Sequence, residues 1–227
     1  MKAMILAAGH GTRMRPLTDH TPKPLLPVGG KPLIVWHIEK LAKAGYQDIV
    51  INIGWLGDQI PAALGNGEQW GVQLHYSDEQ QEGVLETAGG IVKALPLLGN
   101  KPFLVINGDI WCNYPCMPVA LQDNDLAHLI LVRNPAHNPD GDFTLQEGRV
   151  SDEKNLRHTF SGIGFYNPKL FDTLSYGKRP LAPLLREAMH SNLISGELHQ
   201  GEWLDIGTPE RLQALDEHLS GSQRLSV

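Results

Sequence analysis

Three features of this sequence predict an α/β fold with a mainly parallel mixed sheet flanked by helices. Apolar strand-like runs alternate with amphipathic helical stretches as far as Arg133, the pattern of βαβ units. A glycine-rich loop, Gly9-His10-Gly11, stands directly after the first apolar run, where open α/β sheets bind ligands. Beyond Arg133 the alternation gives way to a turn-rich stretch, residues 134–142, and then to a hairpin-like segment.

Taken in order, residues 3–6 read as a short buried strand. Pro32 opens a helix, since the N–H it lacks has no partner at a first turn, and Ile34, Ile38, Leu41 and Ala42 share one face. Gly45 stops that helix, and residues 49–53 form the next strand. Residues 57–64 give a short helix around Pro61, 74–76 a brief strand, and 90–95 a helix ended near Pro96. Residues 103–107 and 126–132 are buried strands, 143–150 a hairpin, and 159–166 a further strand. A helix over 180–190 and a short strand over 203–206 follow. Thr208-Pro209 combines a capping hydroxyl with proline at the first helical position, and Leu212, Leu215 and Leu219 line the inner face of the last helix. The reading is one domain over residues 1–219 with a frayed tail at 220–227.

Bulk properties exclude several function classes. The 227 residues carry 19 basic and 25 acidic side chains, a formal net charge of −6, with no basic tract to grip a nucleic-acid duplex. No stretch approaches the roughly 20 apolar residues of a membrane span, and the apolar run near the N-terminus is too short for a secretion signal. A cytoplasmic protein, monomeric or a small homo-oligomer, is expected. Cys112 and Cys116 lack the companion ligands of a zinc site and read as two reduced thiols.

The chemistry-bearing residues start at Ala7-Ala8-Gly9-His10-Gly11-Thr12-Arg13. Glycines let backbone N–H groups approach phosphate oxygens, and Arg13 can make a bidentate charge-assisted contact. A P-loop would need Gly-Lys-Ser/Thr where Gly-Thr-Arg stands, and a dinucleotide loop would need a small residue where Met14 stands. Lys23 is the one charge within the proline-stiffened Thr21-Pro22-Lys23-Pro24-Leu25-Leu26-Pro27. By itself the first segment is also compatible with a plain βα turn, and the second with a solvated lysine. Asp109 follows the buried strand 103–107 at its carboxyl end beside Gly108, and Asp205 borders the short strand near residue 203. One or two carboxylates with phosphate oxygens and water suit Mg²⁺, whereas singly each aspartate is as readily a turn former or cap.

Gly9-x-Gly11-Thr12-Arg13-x-x-Pro16-Leu17-Thr18, followed by Lys23-Pro24-Leu25-Leu26-Pro27-Val28, resembles the signature of the sugar-1-phosphate nucleotidyltransferases. The resemblance spans residues 1–219 and implies a Rossmann-like sheet of the nucleotide-diphospho-sugar transferase type with a small β-hairpin subregion for the sugar. It implies Arg13 and Lys23 as catalytic cations, Asp109 and Asp205 as ligands of Mg²⁺, and a nucleotide site built from Ala7, Ala8, Gly9, Gly11, Thr12, Gly83, Thr87 and Gly108 with those cations. Glu86, Asp142, Lys154 and Gly162 fall on the positions of the sugar half; read singly, Asp142 is a turn residue and Gly162 a packing glycine. Asn155 departs from the proline that follows the lysine in many relatives. Gly83, Val84 and Glu86 depart from the guanylyl-transferring pattern, and the Leu85-Glu86-Thr87-x-Gly89-Gly90 form resembles the muramate-acting members. The implied partners are a nucleoside triphosphate, UTP first, and a sugar 1-phosphate. N-acetylmuramate 1-phosphate leads, with glucose and mannose 1-phosphates as alternatives. A non-catalytic sugar-nucleotide sensor predicts loss of Arg13, Lys23 or an aspartate, and all are present. A nicotinamide dehydrogenase predicts an acid ending the second strand, where Asn52-Ile53-Gly54 stands instead.

Overall fold

The structure is a computed structural model that describes residues 1–122 and 124–224. Strand β1 (Ala3–Leu6) leads into the glycine loop, a small hairpin of β2 (Pro27–Val28) and β3 (Lys31–Pro32), and helix α1 (Leu33–Lys43). Next come β4 (Asp48–Ile53), α2 (Gln59–Leu64), β5 (Gln73–Asp78), α3 (Glu86–Leu98), β6 (Phe103–Asn107) and β7 (Ile110–Cys112). The second half holds β8 (Ala127–Val132), β9 (Phe143–Gln146), β10 (Arg149–Ser151), β11 (Arg157–Tyr166), α4 (Leu181–His190), β12 (Ile194–His199), β13 (Trp203–Asp205) and α5 (Pro209–Arg224).

The main sheet runs β5-β4-β1-β6-β11-β8-β12-β10-β9. Its first four strands are parallel; β11 then runs antiparallel to both β6 and β8, and β9–β10 is the expected hairpin. Alternation along β1 sends Ala3 and Ile5 into the core under α1 and α2, and Met4 into the core under α3 and α4. A third cluster matters more for the site. Met14, Leu26 and Val28 pack with Ile206, Leu212, Leu215 and Leu219, tying the loop after β1 and the Lys23 segment to α5. No described helix is long and apolar enough to cross a membrane.

Four sequence expectations need correcting. Helix α3 starts at Glu86 and runs through Pro96 to Leu98, so the proline does not end it. So close to the C-terminus Pro96 removes a single ladder bond, which burial of Ala94 and Leu98 offsets. Strand β12 is absent from the sequence reading, because Gly196 interrupts its apolar pattern. A Cβ there would lie 2.6 Å from Val150 Cγ2 and 2.7 Å from the Leu129 carbonyl, so close packing selects glycine inside a real strand. Strands β2, β3 and β7 are too short for alternation to be read. The tail expected to fray from Ser220 is helical as far as Arg224, and residues 225–227 lie outside the described residues.

His37, 1% exposed on α1, supplies a stability prediction. Burial, and then the nearby Lys40 charge, push its pKa from 6.5 down to about 3. A depressed histidine contributes stability above its unfolded value and loses it as pH falls toward the folded value. Urea unfolding between pH 6.5 and pH 4 is therefore expected to show wild type losing up to about 1.4 kcal/mol per pH unit relative to His37→Phe. Parallel pH profiles for the two proteins would refute this.

Candidate active site

The loop after β1 is built to hold its amides still. Gly11 has φ 61°, and a Cβ there would sit 2.9 Å from the Thr18 methyl, so only glycine fits without strain. The Thr18 hydroxyl donates to the Gly11 carbonyl at 2.8 Å. Residues Thr12–Met14 form a short 3-10 turn whose Met14 is fully buried, leaving Arg13 on the rim. At the loop's start the Ala7 N–H donates to Asn52 Oδ1 at 2.7 Å, and Asn52 Nδ2 donates to Glu79 Oε1 at 2.7 Å. Glu79 is 2% exposed, and burial raises its pKa. A polar chain thus runs from the glycine loop through β4 to the residue after β5, along the cleft lining.

Lys23 opens a second 3-10 turn, Lys23–Leu25, and is 9% exposed. Its ammonium donates to Asp109 Oδ2 at 2.8 Å, although 86 residues separate the two in sequence. Asp109 leaves the carboxyl end of β6, and its carbonyl accepts from the Ile206 N–H at 2.7 Å. In the two-stranded ladder of β7 and β13, Asp205 lies opposite Ile110, one rung from Asp109. Asp205 Oδ1 faces His137 Nε2 at 3.1 Å, and Oδ2 accepts from the Arg211 guanidinium. The point a Cβ on Gly207 would occupy is 3.0 Å from Asp205 Oδ2 and 3.2 Å from Arg13 Nη1. The four residues 13, 23, 109 and 205 thus gather at one rim.

Arg13, Lys23 and Asp109 border a cleft of about 360 Å³. All the expected nucleotide-site residues except Gly83 line it, together with Glu86 and Asp109. Gly83 lines a neighbouring cleft of about 450 Å³ that shares Ala8, Glu79 and Val84 with the first. Asp205 stands just behind, reaching the cleft wall through Gly207. Glu86 begins α3 with φ 60°, an uncommon backbone for a side-chain-bearing residue, and Lys178 lies 3.3 Å from its carboxylate. The other sugar-half residues do not line either cleft. Gly162, at φ 83°, lets Asn107 pack against it, since a Cβ would lie 2.6 Å from Asn107 Nδ2; Asn107 is the residue that faces the cleft. Asp142 Oδ2 accepts from the Phe160 N–H at 2.8 Å and Oδ1 from Asn138 at 3.3 Å, which fastens the segment before β9 to β11. Lys154 sits on the exposed turn after β10.

Asn52, Glu79, Asn107, His137 and Arg211 escaped the sequence reading. Asn52 had a visible signal, a polar residue inside the apolar Ile49-Val50-Ile51-Asn52-Ile53. The others had none, because their significance is proximity. Among the described residues no three or more His, Cys, Asp or Glu side chains close on one point as a metal cage would require. The donor set nevertheless fits Mg²⁺, a hard cation that takes a carboxylate or two and completes its shell with phosphate and water.

A parallel-sheet rim that brings a glycine loop, Arg13, Lys23 and Asp109 to one cleft, with Asp205 behind its wall, suits a transferase that handles nucleotide phosphates. The chain belongs to the nucleotidyl transferase family, whose model matches residues 2–220. It is an enzyme of that class. It is 54% identical to N-acetylmuramate alpha-1-phosphate uridylyltransferase of Neisseria meningitidis serogroup B over 222 residues, 94% of this chain and 96% of the relative. Mannose-1-phosphate guanyltransferase of Aspergillus fumigatus is 33% identical over 232 residues, covering 92% of this chain and 62% of its own. A crystal structure described as a glucose-1-phosphate thymidylyltransferase of Bacillus anthracis, solved with sucrose, superposes with a TM-score of 0.84 at 25% identity, covering 97% of this chain and 95% of that one.

Proposed function

We propose that this enzyme transfers UMP from UTP to N-acetylmuramate 1-phosphate, releasing pyrophosphate, as one catalytic unit over residues 1–219 acting in the cytoplasm. The observation that carries the substrate reading is the 54% identity, over nearly the full length of both chains, to a uridylyltransferase of that name. The chemistry is carried by the Lys23–Asp109 contact beside the glycine loop.

A sugar-phosphate oxygen attacks the α-phosphorus of UTP in line. One P–O bond forms, the bond from the α-phosphorus to the bridging oxygen breaks, and pyrophosphate leaves with the electron pair. A phosphate monoester dianion is already a nucleophile, so no residue need act as general base. The obstacle is charge, because two polyanions must meet. Amides of the loop at Ala8, Gly9 and Gly11 cradle the triphosphate, with Arg13 on its β- and γ-phosphates. Lys23, pinned by Asp109, meets the charge of the α-phosphate or the sugar phosphate. Asp109 and Asp205 would hold Mg²⁺, which when bound neutralises phosphate charge and stabilises the leaving group. Gly83, Thr87 and Gly108 border the nucleoside. Glu86 and the Asn107 wall shaped by Gly162 face the sugar and the Asp142 turn braces the hairpin beside it, while Lys154, outside both clefts, is linked to the sugar phosphate by the family resemblance alone.

A pyrophosphate-release matrix crossing five nucleoside triphosphates with glucose, mannose, N-acetylglucosamine and N-acetylmuramate 1-phosphates tests this reading. UTP with N-acetylmuramate 1-phosphate is expected to give the highest kcat/KM. A GTP–mannose optimum would move the assignment to the guanylyl relatives, and turnover with no pair would leave only a sugar-nucleotide sensor.

A further inference from the structure

Two arginines and one carboxylate meet at Gly207. Arg13 Nη1 and Arg211 Nη1 each lie 3.2 Å from the point its Cβ would occupy, and Asp205 Oδ2 lies 3.0 Å from it. Arg13 comes from the loop after β1, whereas Arg211 projects from the first turn of α5. Two neighbouring guanidiniums favour an anion beside them, and Arg211 finds one in Asp205. Arg211 donates to its Oδ2 while His137 occupies Oδ1. A divalent cation that takes Asp205 Oδ2 therefore competes with Arg211 for that oxygen.

Arg211 cannot retreat far when displaced. Its backbone N–H reaches the Thr208 cap, and its neighbours Leu212 and Leu215 are buried against Met14 and Leu26. Asp216, one turn further along, accepts from the Gly29 N–H at 2.7 Å and locks α5 to the hairpin that follows Lys23. The freed guanidinium stays beside Gly207, a wall residue of the cleft, next to Arg13. Its planar fork fits a phosphate as well as a carboxylate, which an ammonium does not match.

We propose that Arg211 exchanges Asp205 for a substrate phosphate when the divalent cation binds, and so forms with Arg13 a two-arginine clamp on the triphosphate. This rests on the reading of Asp205 as a metal ligand in nucleotidyl transfer. Metal and nucleotide then bind cooperatively, since each completes the other's site, while in the free protein Arg211 competes with the metal.

Arg211→Gln and Arg211→Lys in the full chain, read by Mn²⁺ binding to the free protein in electron paramagnetic resonance and by steady-state kinetics, test the exchange. Arg211→Gln is expected to bind Mn²⁺ several-fold more tightly than wild type, yet to raise KM for UTP by roughly tenfold to a hundredfold. KM for the sugar phosphate stays nearly constant, and Arg211→Lys falls between. A merely structural role cannot tighten one ligand while weakening the other. Mn²⁺ affinity equal to or below wild type, or an unchanged KM for UTP, overturns the exchange. If Asp205→Asn binds Mn²⁺ as tightly as wild type, the metal assignment fails and takes the exchange with it. If wild type turns over the expected pair and Asp205→Asn loses Mn²⁺, nucleotidyl transfer stands independently of Arg211.

Discussion

Lys23→Ala and Asp109→Asn are each expected to lower kcat by roughly two to three orders of magnitude, the scale of removing one preorganised electrostatic contact from a transition state. Lys23 is held in place before substrate arrives, because a buried ammonium with a fixed carboxylate partner has already lost its rotamer freedom and its water. Removing it leaves the phosphate charge to be met by solvent, which must reorganise during the reaction. Asp109 is partly exposed, so neutralising it spares the fold and the loss is read in catalysis. Lys23→Arg is not expected to rescue activity, since the flat fork does not fit a cavity shaped around an ammonium. Pyrophosphate release at saturating UTP and sugar 1-phosphate measures this, and turnover within threefold of wild type in either the alanine or the asparagine variant would remove Lys23 or Asp109 from the mechanism.

The second large effect is on stability and reaches function through the loop. Asn52→Leu strips the Ala7 N–H of its acceptor and Glu79 Oε1 of its donor at one stroke, leaving the carboxyl only the Leu85 N–H at 3.4 Å on Oε2. Two orphaned polar groups cost about 2–4 kcal/mol together, since each keeps its desolvation penalty without its hydrogen bond. The double variant Asn52→Leu with Glu79→Met is expected to recover part of that loss by replacing the carboxyl with an apolar side chain. Urea unfolding of the three proteins reads both effects. A single-variant loss below about 0.5 kcal/mol, within the range of surface substitutions, would show that the polar chain is not a structural tie.

How much of this was legible beforehand depends on the range of the interaction. The loop Gly9 to Arg13, the Lys23 segment and the two aspartates were readable because each needs local chemistry: a glycine at positive φ, a proline-stiffened turn, a carboxylate beside a strand end. Residues 3–6 could be read as a buried strand, whereas the division of Ala3 and Ile5 from Met4 between two cores came from the helices packed on each face. Strand β12 was not, because Gly196 is selected by Val150 and the Leu129 carbonyl, neither of which is near in sequence. Pro96 was misread for a related reason. Its intrinsic cost is local, but the burial that overrides it belongs to the packed sheet.

The amino-acid order alone determined the alternating architecture, the place of the glycine loop after the first strand and the inventory of charges, because backbone preference and side-chain chemistry act over a few residues. Tertiary structure alone decided the pairings: Lys23 with Asp109, Asn52 with Glu79, Asp205 with Arg211 and His137. Electrostatic attraction falls with distance through space, and chain separation says nothing about that distance until the sheet order and the seat of α5 have fixed it.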